Sequence, residues 1–113
     1  MAESCIFCKI ARGEIPAKML VNNKEIVAFR DLNPQAPVHL LIVPKKHVAS
    51  LDDANDSDLL GRMIAMAAAI ARQEKIAKSG YRTVINTGKD GGQSVDHLHI
   101  HLLGGRPFAW PPG

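Results

Sequence analysis

Residues 95–103 read Val-Asp-His-Leu-His-Ile-His-Leu-Leu, and this alternation constrains the fold more than any other stretch of the chain. In a strand, side chains alternate between faces, so His97, His99 and His101 share one face while Leu98, Ile100 and Leu102 share the other. Neighbours on one face lie roughly 6.5–7 Å apart, close enough to share a ligand. A lone histidine here would read as solvated, or as a core residue satisfied by backbone partners. Three on one face, behind Gly91-Gly92-Gln93-Ser94, read better as a shared site. An affinity tag is excluded, because tag histidines are contiguous and these alternate with large apolar residues.

A chain of 113 residues forms one domain, taken as 1–113 with a tail at 104–113, and can bury a core that dimerisation would supplement. The net charge of +3 is spread without a block, a modest bias towards anionic ligands. Aromatic residues are too few for a stacking platform and no nucleic-acid-binding signature appears, so no nucleic-acid partner is expected. Met1-Ala2-Glu3-Ser4-Cys5 lacks the basic and apolar regions of a signal peptide. The apolar stretch 63–71 is too short to span a bilayer. A cytoplasmic protein with no membrane association is therefore expected. In that compartment Cys5-x-x-Cys8 suggests metal ligation or redox chemistry rather than a structural disulfide.

Residues 5–12 carry Ile6, Phe7 and Ile10 at helical spacing, and Pro16 follows the break at Gly13. Segments 18–22 and 25–31 read as a hairpin across Asn22-Asn23-Lys24. A loop over 31–37 contains Pro34 and Pro37, and 38–43 is a central strand closed by Pro44. One long helix is expected over 56–78, capped from among Asp52, Asp53, Asn55 and Ser57. Its core stripe is Leu59, Leu60, Met63, Ile64, Met66, Ala67, Ile70 and Ala71. Strands at 81–87 and 97–103 flank a glycine-rich loop at 88–94. Trp110, in the Pro-rich tail, is expected to dock on the body or on a second subunit. The fold class is α+β: a five-stranded antiparallel sheet, one long helix and a short N-terminal helix.

A glycine-rich turn exposes backbone N–H groups that can cradle phosphate oxygens, although 88–94 matches neither common nucleotide-binding fingerprint. Histidine near neutrality can attack phosphorus or donate a proton, and a cluster can divide those duties. The same histidines could instead complete a tetrahedral site with Cys5 and Cys8. Asp31 and Asn86 are ambiguous by themselves, while Phe7 and Phe29 read as plain core. Lys45 and Lys46 read as solvated residues at a strand end.

The run from His97 to Leu103 resembles the His-φ-His-φ-His-φ-φ signature of the histidine triad superfamily. Cys5-Ile6-Phe7-Cys8, Gly13-Glu14-Ile15-Pro16, Pro34-Gln35-Ala36-Pro37-Val38-His39 and Val43-Pro44-Lys45-Lys46-His47 extend the likeness to its nucleotide-binding (Hint) branch. So do Gly91-Gly92-Gln93-Ser94-Val95 and the closing Trp110-Pro111-Pro112-Gly113. The resemblance covers essentially the whole chain.

It implies a homodimeric purine nucleoside phosphoramidase, cleaving P–N bonds of AMP- or GMP-amine conjugates through a nucleotidyl-histidine, with no organic cofactor. By the same resemblance His99 is the nucleophile, His101 and His39 support it, and Ser94 approaches the leaving nitrogen. Gly92, Gln93 and Asn86 would hold the phosphate side, and Asp31 the ribose hydroxyls. Ile6, Phe7, Ile15, Phe29 and Leu32 would form the base slot. Bacterial members with the cysteine pair imply a structural zinc on Cys5, Cys8, His47 and His97. Asp96 departs from the aromatic or bulky residue of eukaryotic-like relatives. The alternatives are a dinucleoside polyphosphate hydrolase or nucleotidyl transferase, and a regulatory nucleotide-binding protein without significant catalysis.

Overall fold

In the computed structural model, residues 4–113 are described, so Met1-Ala2-Glu3 of the segment read for a leader lies outside the described residues. The order is α1 (Ile6–Ala11), β1 (Met19–Asn22), β2 (Ile26–Arg30), β3 (Val38–Pro44), α2 (Ser57–Gln73), β4 (Tyr81–Val84), α3 (Gly88–Gly91) and β5 (Ile100–Gly104). The strands form one antiparallel sheet in the order β1-β2-β3-β5-β4. This is the expected α+β architecture. No described helix is long and apolar enough to cross a membrane.

Both faces of the central strands are covered, which is why β2 and β3 read as continuous apolar runs. Ile26, Ala28, Leu40, Ile42, Leu98, Ile100 and Leu102 pack under α2 against Leu59, Met63, Ala67, Ile70 and Ala71. Val27, Phe29, Leu41 and Val43 face the other way, onto Phe7, Cys8 and Ile10 of α1. Each large side chain fully buried in this way contributes about 1.5–3 kcal/mol of transfer free energy. The long helix therefore supports the sheet from behind, and the short one shares the face that carries the histidines.

Several boundaries differ from the sequence expectation, for identifiable reasons. The N-cap of α2 is Asp56, whose side chain accepts from Leu59 N, and none of the four expected caps does this. The helix ends at Gln73 rather than near 78, because Lys75 adopts φ +63° and turns the chain so that Ile76 buries against Gly104. Ile64, expected in the core stripe, is 57% exposed on the outer side of α2. Pro44 is the last residue of β3 rather than its stop.

Strand β4 stops at Val84, short of 87. Strand pairing in β5 begins only at Ile100. Before it, the chain is pinned by Leu98 N donating to Val48 O at 2.7 Å and His97 N to Val95 O at 2.8 Å. The facial alternation survives without the ladder, since Leu98 packs with Ile100 and Leu102. Within 88–94, residues Gly88–Gly91 form a single helical turn closed by Gly92 at φ +79°. Trp110 does not dock on the body of its own chain and is 82% exposed.

Candidate active site

His99 sits at the floor of an apolar cleft of about 220 Å³, lined among others by Ile6, Phe7, Phe29, Asp31, Leu32, Ser94 and His101. Helix α1 supplies Ile6 and Phe7, the end of β2 supplies Phe29, and the loop after it supplies Asp31 and Leu32. Phe7 meets both Phe29 and His99 edge-on, with centroids 5.6 and 5.1 Å apart. Those contacts form one wall of the cleft. Leu32, 86% exposed, forms its rim.

The ring nitrogens are assigned by what they meet. His99 Nδ1 lies 2.7 Å from His97 O, and a carbonyl only accepts, so Nδ1 carries the proton and the lone pair is on Nε2. Gln35 N donates to His39 Nδ1 at 3.0 Å, which places the proton of a neutral His39 on Nε2. That Nε2–H points to His101 Nδ1 at 2.9 Å, with Asp31 Oδ2 at 3.4 Å. His101 then carries its own proton on Nε2. Burial, followed by the neighbouring His99 and His39, pushes His101 down to about 4, while Asp31 opposes the shift. Burial lowers His39 as well, again against Asp31. Both rings are therefore neutral at pH 7, and each still owns one N–H to donate. The cleft combines a nucleophilic nitrogen, a neutral donor beside it and a carboxylate at the rim.

A second cluster lies beside the first. Cys5 Sγ is 3.2 Å and Cys8 Sγ 3.5 Å from His97 Nδ1, and Cys8 Sγ is 3.3 Å from His47 Nδ1. All four ligand atoms lie within 4.8 Å of one another. His97 donates Nε2–H to Pro44 O at 2.8 Å, which fixes its lone pair on Nδ1, towards the sulfurs. Burial, then the adjacent Cys5, push the Cys8 thiol up, so a bound cation would have to displace its proton. Two thiols and two imidazoles at tetrahedral-edge spacing are compatible with metal coordination.

The cleft brings together Ile6, Phe7, Phe29, Asp31, Leu32, Ser94, His99 and His101 of the residues singled out from the sequence. Ile15 packs against the neighbouring core cluster instead of lining it. His39, Asn86, Gly92 and Gln93 also lie outside the lining, and His39 meets it only through His101 and Asp31. Gln93 braces the loop: its Oε1 accepts from Gly88 N, and its Nε2 donates to Ala49 O and Val95 O. Sequence reasoning missed Ile10, Pro16, Ala17, Arg30, Leu41 and Val95, which complete the cleft. These are ordinary residues of a helix, a turn and strands, and only tertiary packing groups them.

The HIT domain family model matches residues 12–108. This chain belongs to the HIT family. It is 51% identical to a purine nucleoside phosphoramidase of Escherichia coli K12 over 96% of this chain and 92% of that protein. It is 55% identical, over the full length of both, to an uncharacterized HIT-like protein of Synechococcus elongatus. Among solved structures, a HIT family hydrolase from Legionella pneumophila matches with a TM-score of 0.94 and 54% identity, over 97% of this chain and 100% of that one. A histidine triad nucleotide-binding protein from Candida albicans matches with 0.83 and 34%, over 96% and 83%. Within the HIT family, then, this chain places His99 and His101 on the lining of a cleft, with His39 hydrogen-bonded to His101 behind it.

Proposed function

We propose that this HIT protein is a purine nucleoside phosphoramidase, hydrolysing AMP- or GMP-amine conjugates through a nucleotidyl-His99 intermediate. The observation that carries the reading is the His99 ring. Its Nδ1–H is held by His97 O, and its Nε2 lone pair belongs to a ring on the floor of the cleft. The likeness to the Escherichia coli phosphoramidase supports the choice of P–N substrates.

In the first step His99 Nε2 bonds to phosphorus while the P–N bond breaks. The amine departs with that electron pair and takes a proton through the Ser94 hydroxyl from solvent. The phosphorylated ring is cationic, and Nδ1–H stays on His97 O throughout. His101 Nε2–H donates to a non-bridging oxygen, where charge accumulates. In the second step a water oxygen bonds to phosphorus, the P–Nε2 bond breaks, and the lone pair returns to Nε2. The water's proton is released to solvent with the nucleoside monophosphate. The base lies between Phe7, Phe29, Ile6 and Leu32, with Ile15 behind them, and the ribose hydroxyls meet Asp31. Gly92, Gln93 and Asn86 hold the phosphate side indirectly, through the shape of the loop.

The Cys5–Cys8–His47–His97 cluster is read as a structural zinc site. Four protein ligands leave no open position, so zinc would tie α1 to the sheet and leave His39, His99 and His101 to the chemistry. A homodimer fits the free outer edge of β4 and the exposed Tyr81, Ile64 and Trp110, which give Trp110 a second subunit to dock on. The cytoplasm, which keeps the thiols reduced, suits such a site.

Steady-state hydrolysis of an AMP–tryptamine phosphoramidate by wild type and His99→Ala tests the function. The variant should lose at least about four orders of magnitude in kcat/KM, as when a nucleophile is removed, and keep AMP affinity within a few-fold. Faster turnover of diadenosine polyphosphates than of the phosphoramidate would favour the alternative substrate class. Wild-type turnover by His99→Ala would end the assignment.

A further inference from the structure

The site depends on a loop that its own residues hold weakly. Between β2 and β3 the segment 31–37 is mostly exposed, and its side chain to backbone bonds are Asn33 N to Asp31 Oδ1 and Gln35 Nε2 to Asn33 O. Yet the backbone N–H that selects the His39 tautomer belongs to Gln35, near the tip of this loop. The tie from outside comes from the chain's last segment. Arg106 donates Nε–H and Nη2–H to the same oxygen, Gln35 O, at 3.1 and 3.0 Å. Gly105, at φ +89°, presses its backbone onto Pro37 so closely that a Cβ there would lie 2.9 Å from the proline ring.

The arginine is itself immobilised. Its guanidinium lies 4.3 Å over the Phe108 ring, and its Nη1–H donates to Pro107 O at 3.1 Å. Arg82 of β4 stacks against the same ring at 5.2 Å and donates to Ala109 O at 2.8 Å. A two-pronged donor fixed over an aromatic ring holds a carbonyl in direction as well as in distance.

We infer that Arg106 is a positioning residue for the histidine relay: by clamping Gln35 O it keeps Gln35 N–H on His39 Nδ1, which fixes His39 Nε2–H on His101 Nδ1 and leaves His101 Nε2–H facing the cleft. Arg106 touches no reacting atom. Without the clamp the loop tip swings, His39 samples both tautomers, and His101 loses its partner for part of the time. Only the kinetic consequence rests on the phosphoramidase reading; the tautomers are a property of the free protein.

Long-range proton–nitrogen correlation spectra of protein labelled with 15N-histidine read each ring's tautomer directly. Wild type should show a single Nε2–H form for both His39 and His101. In Arg106→Ala both rings should move to averaged nitrogen shifts. The same variant should lose roughly three- to tenfold in kcat, the scale expected from imperfect orientation of a donor, with KM within about twofold. Arg106→Lys, which keeps one donor but no fork, should recover part of both effects. Phe108→Leu removes the ring under the guanidinium and should cause a smaller shift in the same direction. That variant decides the question if Arg106→Ala folds poorly. Unchanged His39 and His101 shifts in Arg106→Ala, or in Phe108→Leu in that event, would overturn the inference, even with a lowered melting temperature. If wild type hydrolyses no AMP-amine conjugate, the function fails and the spectra still decide the positioning role.

Discussion

His97 and His99 stand two residues apart on the same side of the chain, and each is oriented by one backbone carbonyl. They present opposite nitrogens to it. His97 gives Nε2–H to Pro44 O, so its Nδ1 lone pair turns to the two sulfurs. His99 gives Nδ1–H to His97 O, so its Nε2 lone pair is the one left for chemistry. Their surroundings diverge accordingly: Cys5, Cys8 and His47 around one, and His101 and the apolar cleft around the other, with Phe7 edge-on to both. The placement of a carbonyl thus turns one ring's lone pair to the sulfurs and leaves the other's free of them. The two clusters share one short segment and the Phe7 ring, but no histidine.

The largest effect that would break this division is loss of the proposed metal half. Cys8→Ser should reduce bound zinc from one per chain to none by elemental analysis. It should also lower the melting temperature by about 10 °C or more, since structural metal binding is folding free energy and one kcal/mol is worth several degrees in a domain of this size. At a temperature where the variant remains folded, its hydrolytic rate should stay within a few-fold of wild type. A folded, metal-free variant with no turnover would mean that the two halves are one site.

The same contrast explains what could be read from the sequence. The alternation of His97, His99 and His101 with Leu98, Ile100 and Leu102 determines which side each faces, and a facial period needs no ladder to be legible. The apolar run of β3 was equally plain, because both faces of the sheet are covered there. The end of α2 was not, because the left-handed residue that stops it is Lys75, where a glycine would have announced the turn. Ile64 has the spacing of a core residue and lies outside, since periodicity cannot distinguish a buried flank from an exposed one. In the site, residue types suggested histidine chemistry, but ring-nitrogen roles depend on Pro44 O, His97 O and Gln35 N. Backbone groups of that kind carry no sequence signal. Nor could any motif pair Arg106 with Gln35, which lie 71 residues apart in the chain.

Acid should separate the halves next. His101 is held down to about 4 from an ordinary 6.5 by burial first, and His39 is shifted in the same direction. Between those values the unfolded chain binds a proton that the folded chain refuses. The stability these rings contribute is therefore full above pH 6.5, falls as the pH drops, and for His101 is gone below about 4. His101 alone accounts for at most about 3 kcal/mol by linkage, and less after solvent screening of a partly exposed ring. Urea unfolding from pH 7 to 4 measures the slope, and titration of the His101 ring proton by NMR separates it from release of metal at the other half. A His101 titrating near 6.5 would remove its share of the acid slope.

The smallest effect sharpens the boundary inside the reactive half, at Asp31. One carboxylate oxygen accepts from Asn33 N at 2.8 Å, while the other lies 3.4 Å from His39 Nε2 and lines the cleft. It could serve the ribose, the histidine relay, or both. With His39 already fixed by Gln35 N–H, the ribose role should dominate. Asp31→Asn should then raise KM for an AMP-amine conjugate about tenfold, the cost of weakening a charge-assisted hydrogen bond, and change kcat by less than about threefold. A 2′,3′-dideoxy substrate discriminates the roles: wild type should lose affinity for it, and Asp31→Asn should lose little more. If kcat falls instead while KM holds, the carboxylate acts through His39, and the relay extends to the rim of the cleft.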